Sequence, residues 1–329
     1  MTIQERLKNT GIRHYDVLIH DQKKNWLIKK FSDGADEYPV NVARLIRNIV
    51  WQQRERIISG EKGKLDELIR TFWYMYIKPT LSRAGALAVQ VDQYKQLSAQ
   101  IADMVTEFDL MRYRDLGFTD DNLPHRFVGT INPHIIIFSE KIGHQNFLQK
   151  FYNKFNVSII SLGGQPSLLN SEYFVEDIKK SGVNLKRSFY LFSIVDYDTS
   201  GYIIQNAFLN NLEYYGLKNL IVNNIVNPDM LSPEEIYHSR YKIPVKSMET
   251  KNKKWLKHIK NMNYKNQKYL VDGNDIYGLE AESISTKRMS LKLEKLLVPL
   301  IGQSDDLLKI YELKSFCTAL KDLILFKLT

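Results

Sequence analysis

Four short apolar segments separated by helical stretches are the feature that most restricts the fold of this 329-residue chain. The apolar segments, rich in β-branched and aromatic residues, are 134–139, 157–162, 189–195 and 220–226. The helical stretches between them are 143–155, 171–181 and 203–215. Buried strands that alternate with helices are typical of a parallel sheet with crossover helices. We therefore expect an α/β fold in the C-terminal two-thirds of the chain.

The N-terminal third is predicted to be helical. Apolar residues recur near a 3.6-residue period over 41–59, and the turn at 60–63 ends this helix. Further helices are predicted at about 64–77, with Pro79 ending that helix, and at about 84–108. Short helices joined by tight turns in a basic context suggest a helix-turn-helix or winged-helix unit. A plain helical bundle is the alternative.

The predicted boundary between the two domains lies within residues 115–130. This stretch contains Gly117, a pair of aspartates and Pro124, which are residues typical of a connection between domains. We expect domains at 1–120 and 121–329. A chain of this length is long enough for two domains of usual size.

The composition limits the class of protein and of partner. The net charge is +9 and the isoelectric point is about 9.2, which fits a polyanionic partner such as nucleic acid, although many basic proteins bind none. No apolar run approaches the ~20 residues that a membrane span needs, and the charged N-terminus lacks a signal core. We expect a cytoplasmic protein with no membrane partner. The single cysteine, Cys317, excludes an internal disulfide and a cysteine metal cluster.

Acidic residues follow two of the predicted strands. Glu140 comes directly after the first strand, and Asp196 and Asp198 close the third. In open α/β sheets functional groups collect at the carboxyl ends of the strands, and residues two apart on a strand point to the same side. Mg²⁺ prefers such oxygen ligands, and three carboxylates held together without a cation would be costly. The alternative is that these acids cap helices or face solvent.

The order of these acids resembles the Toprim fold of topoisomerases, primases and some nucleases. The Glu140 carboxyl after the first strand and the D-x-D-x-x-G pattern that ends at Gly201 carry the resemblance. The segment SLGGQPS, with Gly163 and Gly164, is similar to a Toprim glycine-bearing loop, although an ordinary turn is an equally good interpretation. The resemblance implies that Glu140, Asp196 and Asp198 bind Mg²⁺ at the scissile phosphate.

The segment DELIRTFWYMYI resembles the tyrosine motif of the topoisomerase VI A subunit and of the related meiotic double-strand-break protein. The motif has an arginine, three residues and then the nucleophilic tyrosine, as in Arg70 and Tyr74. Trp73 takes the preceding aromatic position and Thr71 stands where an acid is usual. The resemblance implies a winged-helix (CAP-like) N-terminal domain in which Tyr74 attacks DNA and Arg70 stabilises charge. Tyr76 is a rival nucleophile, and the alternative is that these aromatic residues are ordinary helix residues.

This resemblance spans roughly residues 40–300 and includes the segment LEAES, with Glu280 and Glu282. It implies a homodimer that cuts both strands of double-stranded DNA through a 5′-phosphotyrosyl link. It also implies a nucleoid-associated protein that works with a separate ATPase (B-type) subunit, or a stand-alone or mobile-element relative of the A subunit.

A lysine-rich segment at 251–269 contains interleaved aromatic residues and no acid. Clustered positive charge binds phosphates without reading sequence. The lysines proposed as a DNA-contacting surface are Lys251, Lys253, Lys254 and Lys257. A solvated loop is the alternative.

Three hypotheses for the function follow from these patterns. The first is DNA cleavage by tyrosine transesterification. The second is a Toprim nuclease that hydrolyses DNA with a metal-activated water. The third is a non-catalytic DNA-binding scaffold.

Overall fold

A computed structural model describes residues 3–8, 10–34, 38–88, 92–244, 249–273, 275–301 and 304–328. The chain divides into two compact units, Met1–Asp121 and Asn122–Thr329. Each unit is described below by itself.

Helices make up the first unit. Their bounds are Ile3–Leu7 (α1), Lys24–Phe31 (α2), Val42–Ile58 (α3), Ile69–Phe72 (α4), Lys78–Ala84 (α5), Gln93–Thr106 (α6) and Tyr113–Leu116 (α7). The predicted long helix corresponds to α3, whose N-cap side chain, Asn41, accepts a hydrogen bond from the Arg44 backbone N–H. The described residues of this unit form no β-strand, only an isolated parallel bridge between Glu67 and Phe118.

The prediction that Pro79 ends a helix at 64–77 is wrong. The chain is helical from Ile69 to Ala84, because a π-helical turn at Trp73–Ile77 joins α4 to α5. In this turn the Lys78 backbone N–H donates to the Trp73 carbonyl, one residue further back than in an α-helix. Pro79 therefore lies at the start of α5, where its missing N–H costs little.

The predicted helix at 84–108 is also corrected, because α6 begins only at Gln93. Gly85 ends α5 with the left-handed φ of 73° that favours glycine. The Gln93 side chain bonds the Ala88 N–H and the Ala86 carbonyl. These bonds hold the described residues before α6 in a non-helical conformation.

A five-stranded sheet is the centre of the second unit. Its strands are Arg126–Phe127 (β1), Asn132–Ser139 (β2), Val157–Ser161 (β3), Phe189–Ile194 (β4) and Leu220–Asn224 (β5). The order is β1-β3-β2-β4-β5, and all pairs are parallel except β1 with β3. The predicted α/β fold with a parallel sheet is confirmed, and the short antiparallel edge strand β1 was not predicted.

Helices and a small second sheet complete this unit. The helices are Gln145–Phe155 (α8), Leu168–Lys180 (α9), Thr199–Tyr214 (α10), Pro233–Ser239 (α11), Glu249–Lys260 (α12), Thr286–Ile301 (α13) and Ser304–Leu328 (α14). The small sheet has the order β6-β8-β7, with strands Tyr241–Lys242 (β6), Val271–Asp272 (β7) and Asp275–Gly278 (β8). All residues of β2 are buried, as a central strand covered on both faces requires. No helix in the described residues is both long and apolar enough to span a membrane.

The topology creates a crevice at one edge of the large sheet. From β2 the chain crosses to β3 on one side and then returns to β4 on the other side of β2. Ligands in open α/β sheets bind beyond the carboxyl ends of strands at such a reversal. Ser139 pairs with Ile194 at the ends of β2 and β4, so the residues that follow them line this crevice.

Candidate active site

The acidic residues predicted from the sequence meet at the carboxyl edge of β2 and β4. The Glu140 backbone N–H donates to the Ile194 carbonyl at 3.1 Å, so Glu140 directly flanks the end of β4. Asp196 and Asp198 follow two and four residues later. The local backbone therefore brings together the two strand ends on which the metal-site prediction depends.

Glu140 is the acid with the least compensation. Its side chain is half-buried, and its Oε2 atom is buried without a hydrogen-bond partner in the described structure. Burial, and next the nearby Asp196 carboxylate, raise the pKa of Glu140. A cation beside Glu140 would relieve both penalties.

Asp196 is held by the backbone on one oxygen and by a lysine on the other. Its Oδ1 accepts from the Ala281 backbone N–H at 2.8 Å, and its Oδ2 lies 3.3 Å from the Lys141 Nζ. The same Lys141 Nζ lies 2.6 Å from the Glu282 Oε2. An internal cation therefore neutralises part of the acidic cluster.

Both carboxylate oxygens of Asp198 accept hydrogen bonds that stabilise the local fold. Its Oδ1 accepts from the Gly201 backbone N–H and so caps α10, and its Oδ2 accepts from the Tyr241 hydroxyl at 2.6 Å. Burial, and next this hydrogen bond, raise the pKa of Tyr241, so its hydroxyl stays protonated at neutral pH. Asp198 therefore caps a helix, as the alternative interpretation of the sequence predicted.

The glycine of the D-x-D-x-x-G pattern is explained by close backbone packing. A Cβ atom on Gly201 would lie 2.1 Å from the Asp196 carbonyl oxygen, closer than any side chain can be. The turn that carries both aspartates therefore requires glycine at this position. Close packing of Gly201 on Asp196 therefore accounts for the spacing of the pattern in this chain.

The glycine loop after β3 lies against the same edge. Gly163 and Gly164 have φ values of 70° and 103°, and the Gly164 N–H donates to the Glu140 carbonyl at 2.9 Å. A Cβ atom on Gly164 would meet open space. The loop therefore leaves room beside Glu140.

These residues fit a metal ion only in part. Within the described portion of the chain, no group of three or more His, Cys, Asp or Glu side chains is arranged to hold one. Glu140 offers an oxygen without a partner, whereas Asp196 is bonded to Ala281 and Lys141, and Asp198 is engaged with α10 and Tyr241. One or two carboxylates suffice for Mg²⁺ when phosphate and water complete its coordination.

In the first unit, Tyr74 and Arg70 line one cleft of about 360 Å³, which Trp73, Lys78 and Tyr94 also line. Tyr74 is 51% exposed. The Lys78 Nζ lies 5.1 Å from the centre of the Tyr74 ring, and the Arg70 guanidinium lies 5.6 Å from the centre of the Tyr94 ring. The cleft therefore contains an accessible tyrosine in contact with Lys78, and a second cation, Arg70, in contact with Tyr94.

Tyr76 lies in a different environment. Its hydroxyl accepts a hydrogen bond from the Lys62 Nζ at 2.5 Å. Its ring packs against Phe72 and against His20, with ring centres 4.8 Å and 4.9 Å away. Tyr76 is only partly exposed and does not line the Arg70–Tyr74 cleft.

The first part of the lysine-rich segment is the helix α12, so a loop is not its structure there. Asn252, Trp255 and Ile259 are buried, while the lysines of this helix are exposed. Trp255 packs on Tyr197, with ring centres 4.9 Å apart, and Asn252 accepts a hydrogen bond from Thr199. The basic face therefore stands on residues that adjoin Asp196 and Asp198.

Sequence reasoning missed several side chains of the acidic site. Lys141 and Tyr241 were not singled out, and His144, a buried residue whose pKa burial lowers, interacts with Glu282 and Lys141. Glu282 lies in a single 3₁₀ turn, Ala281–Ser283, and Glu280 precedes that turn without a capping hydrogen bond from its side chain. Of these side chains only Lys141 could have been found from the sequence, because it directly follows Glu140. The other contacts depend on the tertiary fold.

The chain was also compared with known proteins. No model of a known protein family matches it, and no curated protein matches it.

Proposed function

We propose that this chain is a Mg²⁺-dependent DNA strand-breaking enzyme of the topoisomerase VI A-subunit type. The observation that carries the proposal is one oxygen of the Glu140 carboxylate, Oε2, which is buried without a hydrogen-bond partner beside Asp196 at the reversal point of a parallel sheet. A buried carboxylate oxygen without a partner in such a crevice is a feature of functional sites more often than of stable cores.

In this proposal the first unit is a winged-helix (CAP-like) DNA-binding domain and the second is a Toprim domain. The first unit supports only the helical part of the first fold, because its described residues form no strand for a wing, and the strand order of the second unit is compatible with a Toprim sheet. The basic face of α12, with Lys251, Lys253, Lys254 and Lys257, would contact DNA phosphates.

Tyr74 would supply the nucleophile. Its hydroxyl oxygen would form a bond to a backbone phosphorus while the bond from phosphorus to the 3′ oxygen breaks. The proton lost by the tyrosine would end on the departing 3′ hydroxyl, and the 5′ phosphate would stay linked to Tyr74. Arg70 and Lys78, which flank the Tyr74 cleft, would stabilise the added negative charge.

Glu140 and Asp196 would hold the metal, with Asp198 fixing the turn between them and α10. When bound, Mg²⁺ supplies a positive charge that polarises a phosphate oxygen. The Gly163–Gly164 loop would leave space for that phosphate beside Glu140. Lys141 would balance the remaining charge by staying paired with Glu282.

The test is cleavage of supercoiled plasmid with Mg²⁺, stopped with denaturant and analysed with and without protease. We expect wild-type protein to give cut DNA with protein linked to the 5′ ends. Tyr74→Phe should lower the covalent product by at least about 1,000-fold, because it removes the nucleophile. Glu140→Gln should lower it by about 100-fold or more.

Tyr76→Phe is the matched control, because it removes the same atom from a hydroxyl outside the cleft. It should retain covalent cleavage. Cleavage by Tyr74→Phe that leaves free ends would contradict transesterification and favour a hydrolytic Toprim nuclease. If the covalent protein–DNA product disappears only in Tyr76→Phe, Tyr76 is the nucleophile. Absence of any cut by wild type, with intact DNA binding, would favour a DNA-binding scaffold.

A further inference from the structure

A narrow polar cavity lies between α12 and the ends of β4 and β5. Its lining includes Ser193 of β4, Asn224 of β5 and Trp255 of α12. The centre of a water-sized sphere has about 10 Å³ of room in this cavity, which is about the room that one water molecule requires. A ligand much larger than water therefore does not fit there.

Each of these three residues has a buried polar atom without a partner. The Ser193 Oγ, the Asn224 Oδ1 and the Trp255 Nε1 form no hydrogen bond with any part of the chain that the structure describes. Ser193 is 1% exposed and Trp255 is 3% exposed, so bulk solvent does not satisfy their polar atoms. Three unpaired groups at one cavity would destabilise the fold, because buried polar groups are almost always hydrogen-bonded.

The strand register explains how two of these residues reach the same cavity. Ser193 and Asn224 are directly paired in the parallel ladder of β4 and β5. Side chains of paired residues on neighbouring strands point to the same face of the sheet. Trp255 approaches from α12, and its ring packs against Tyr197 and Tyr202 with ring centres 4.9 Å and 5.8 Å away. The polar groups at the cavity therefore come from three different elements.

We propose that this cavity is a binding site for one water molecule, which accepts a hydrogen bond from the Trp255 indole N–H and donates to the Ser193 Oγ and the Asn224 Oδ1. An indole N–H only donates, and an amide oxygen only accepts. The N–H group would repel a metal cation and the amide oxygen would repel an anion, whereas water donates and accepts at once. Three hydrogen bonds are the usual number for a buried water.

This water would join α12 to the sheet through hydrogen bonds. Asp196 also lines the cavity, so the water would lie beside the turn that carries the candidate acids. It would thereby link the helix that bears the basic face to the strand that leads to the acidic site. The water site requires neither DNA nor metal, and it stands independently of the proposed cleavage activity.

The first measurement is nuclear magnetic resonance of the full-length protein labelled with ¹⁵N only in tryptophan. The chain has 4 tryptophans, and the Trp255 indole signal is the one that Trp255→Phe removes. We expect a cross-peak between this N–H and water, with the sign of a bound rather than a freely diffusing water molecule. A wild-type protein without this cross-peak would overturn the proposal.

Two substitutions at Ser193 form a matched pair for the same measurement. Ser193→Ala leaves room for the water and keeps its Trp255 and Asn224 partners, so the cross-peak should persist. Ser193→Val adds methyl groups that fill the cavity, so the cross-peak should disappear. A cross-peak lost already in Ser193→Ala would come from the serine hydroxyl, and one unchanged in Ser193→Val would come from elsewhere. Either result contradicts the water site.

Thermal unfolding gives an independent check. Ser193→Val should lower Tm by roughly 2–6 °C, and by more than Ser193→Ala does, because it leaves the Trp255 N–H and the Asn224 Oδ1 unpaired. In a dry cavity the added methyl groups would instead gain packing contacts. A Ser193→Val protein with a higher Tm than wild type would therefore also overturn the proposal. Circular dichroism checks that each variant keeps its secondary structure.

Discussion

At the residue scale, the carboxylates of the acidic site differ in how well their oxygens are hydrogen-bonded. Glu140 has a buried oxygen without a partner, whereas Asp196 has a backbone donor and a lysine. Lys141 is shared with Glu282, so it does not neutralise both members of the Glu140–Asp196 pair. Without a bound cation, this arrangement destabilises the folded protein, and the same negative charge attracts a cation to the site.

Glu140→Gln is predicted to stabilise the metal-free protein. The raised pKa of Glu140 means that the folded state binds more protons than the unfolded state between the unfolded and the folded pKa. Stability contributed by this group therefore falls as pH rises through that window, and the penalty is complete above the folded pKa. At pH 7.5 we expect Glu140→Gln to raise Tm by roughly 1–3 °C, measured by differential scanning calorimetry with a chelator.

Addition of Mg²⁺ should reverse the ranking, because only wild type gains stability from binding. Glu213→Gln is the control for loss of a charge, because Glu213 is exposed on α10. This variant should have the same Tm as wild type, both with the chelator and with Mg²⁺. A Glu140→Gln protein that is less stable without metal, or equally stabilised by Mg²⁺, would contradict the assignment of Glu140 as a metal-binding acid.

At the element scale, the strands were the most predictable part of the chain. The apolar runs of β2, β3 and β4 are almost entirely buried, so composition alone marks them, whereas the edge strand β5 is only partly buried. All four strands begin and end within two residues of the predicted bounds. The continuation of the helix through Pro79 could not be predicted. It depends on a π-helical turn whose hydrogen bonds shift by one residue. No local pattern signals that shift.

Long-range contacts could not be predicted from the sequence either. The pairing of Lys141 with Glu282 joins residues far apart in the chain, and the bond from Tyr241 to Asp198 joins β6 to the turn after β4. Each depends on the fold of the whole second unit. By contrast, the acids at the ends of β2 and β4 were predictable, because strand topology alone brings them to one edge.

The helix α12 allows a prediction about DNA affinity. Lys254→Gln with Lys257→Gln should weaken binding to duplex DNA of any sequence and reduce the slope of log affinity against log salt by about 2, one for each lost phosphate contact. Fluorescence anisotropy over a salt series measures both quantities.

Lys287→Gln with Lys295→Gln on α13 removes the same charge from exposed positions elsewhere. If this control lowers the salt slope as much as the α12 variant does, the effect is one of net charge. The basic face of α12 would then not be a DNA-contacting surface.

At the scale of the whole molecule, the proposed reaction draws on both units. Tyr74 and Arg70 belong to the first, and Glu140 and Asp196 belong to the second. In a homodimer, each tyrosine has two acidic sites available, one on its own chain and one on the other. The resemblance to topoisomerase VI A subunits predicts the second arrangement, in which two composite sites cut opposite strands.

Mixed dimers distinguish these arrangements. When Tyr74→Phe and Glu140→Gln chains are combined, sharing between chains leaves one complete site in each mixed dimer, made of the intact tyrosine of one chain and the intact acids of the other. We expect the mixture to nick supercoiled plasmid and leave protein on one strand, although neither variant alone cuts. Replacing the Glu140→Gln chain with one that carries both substitutions removes the last tyrosine and should abolish nicking. If the mixture stays inactive while light scattering shows that chains exchange, each tyrosine must work with the acids of its own chain.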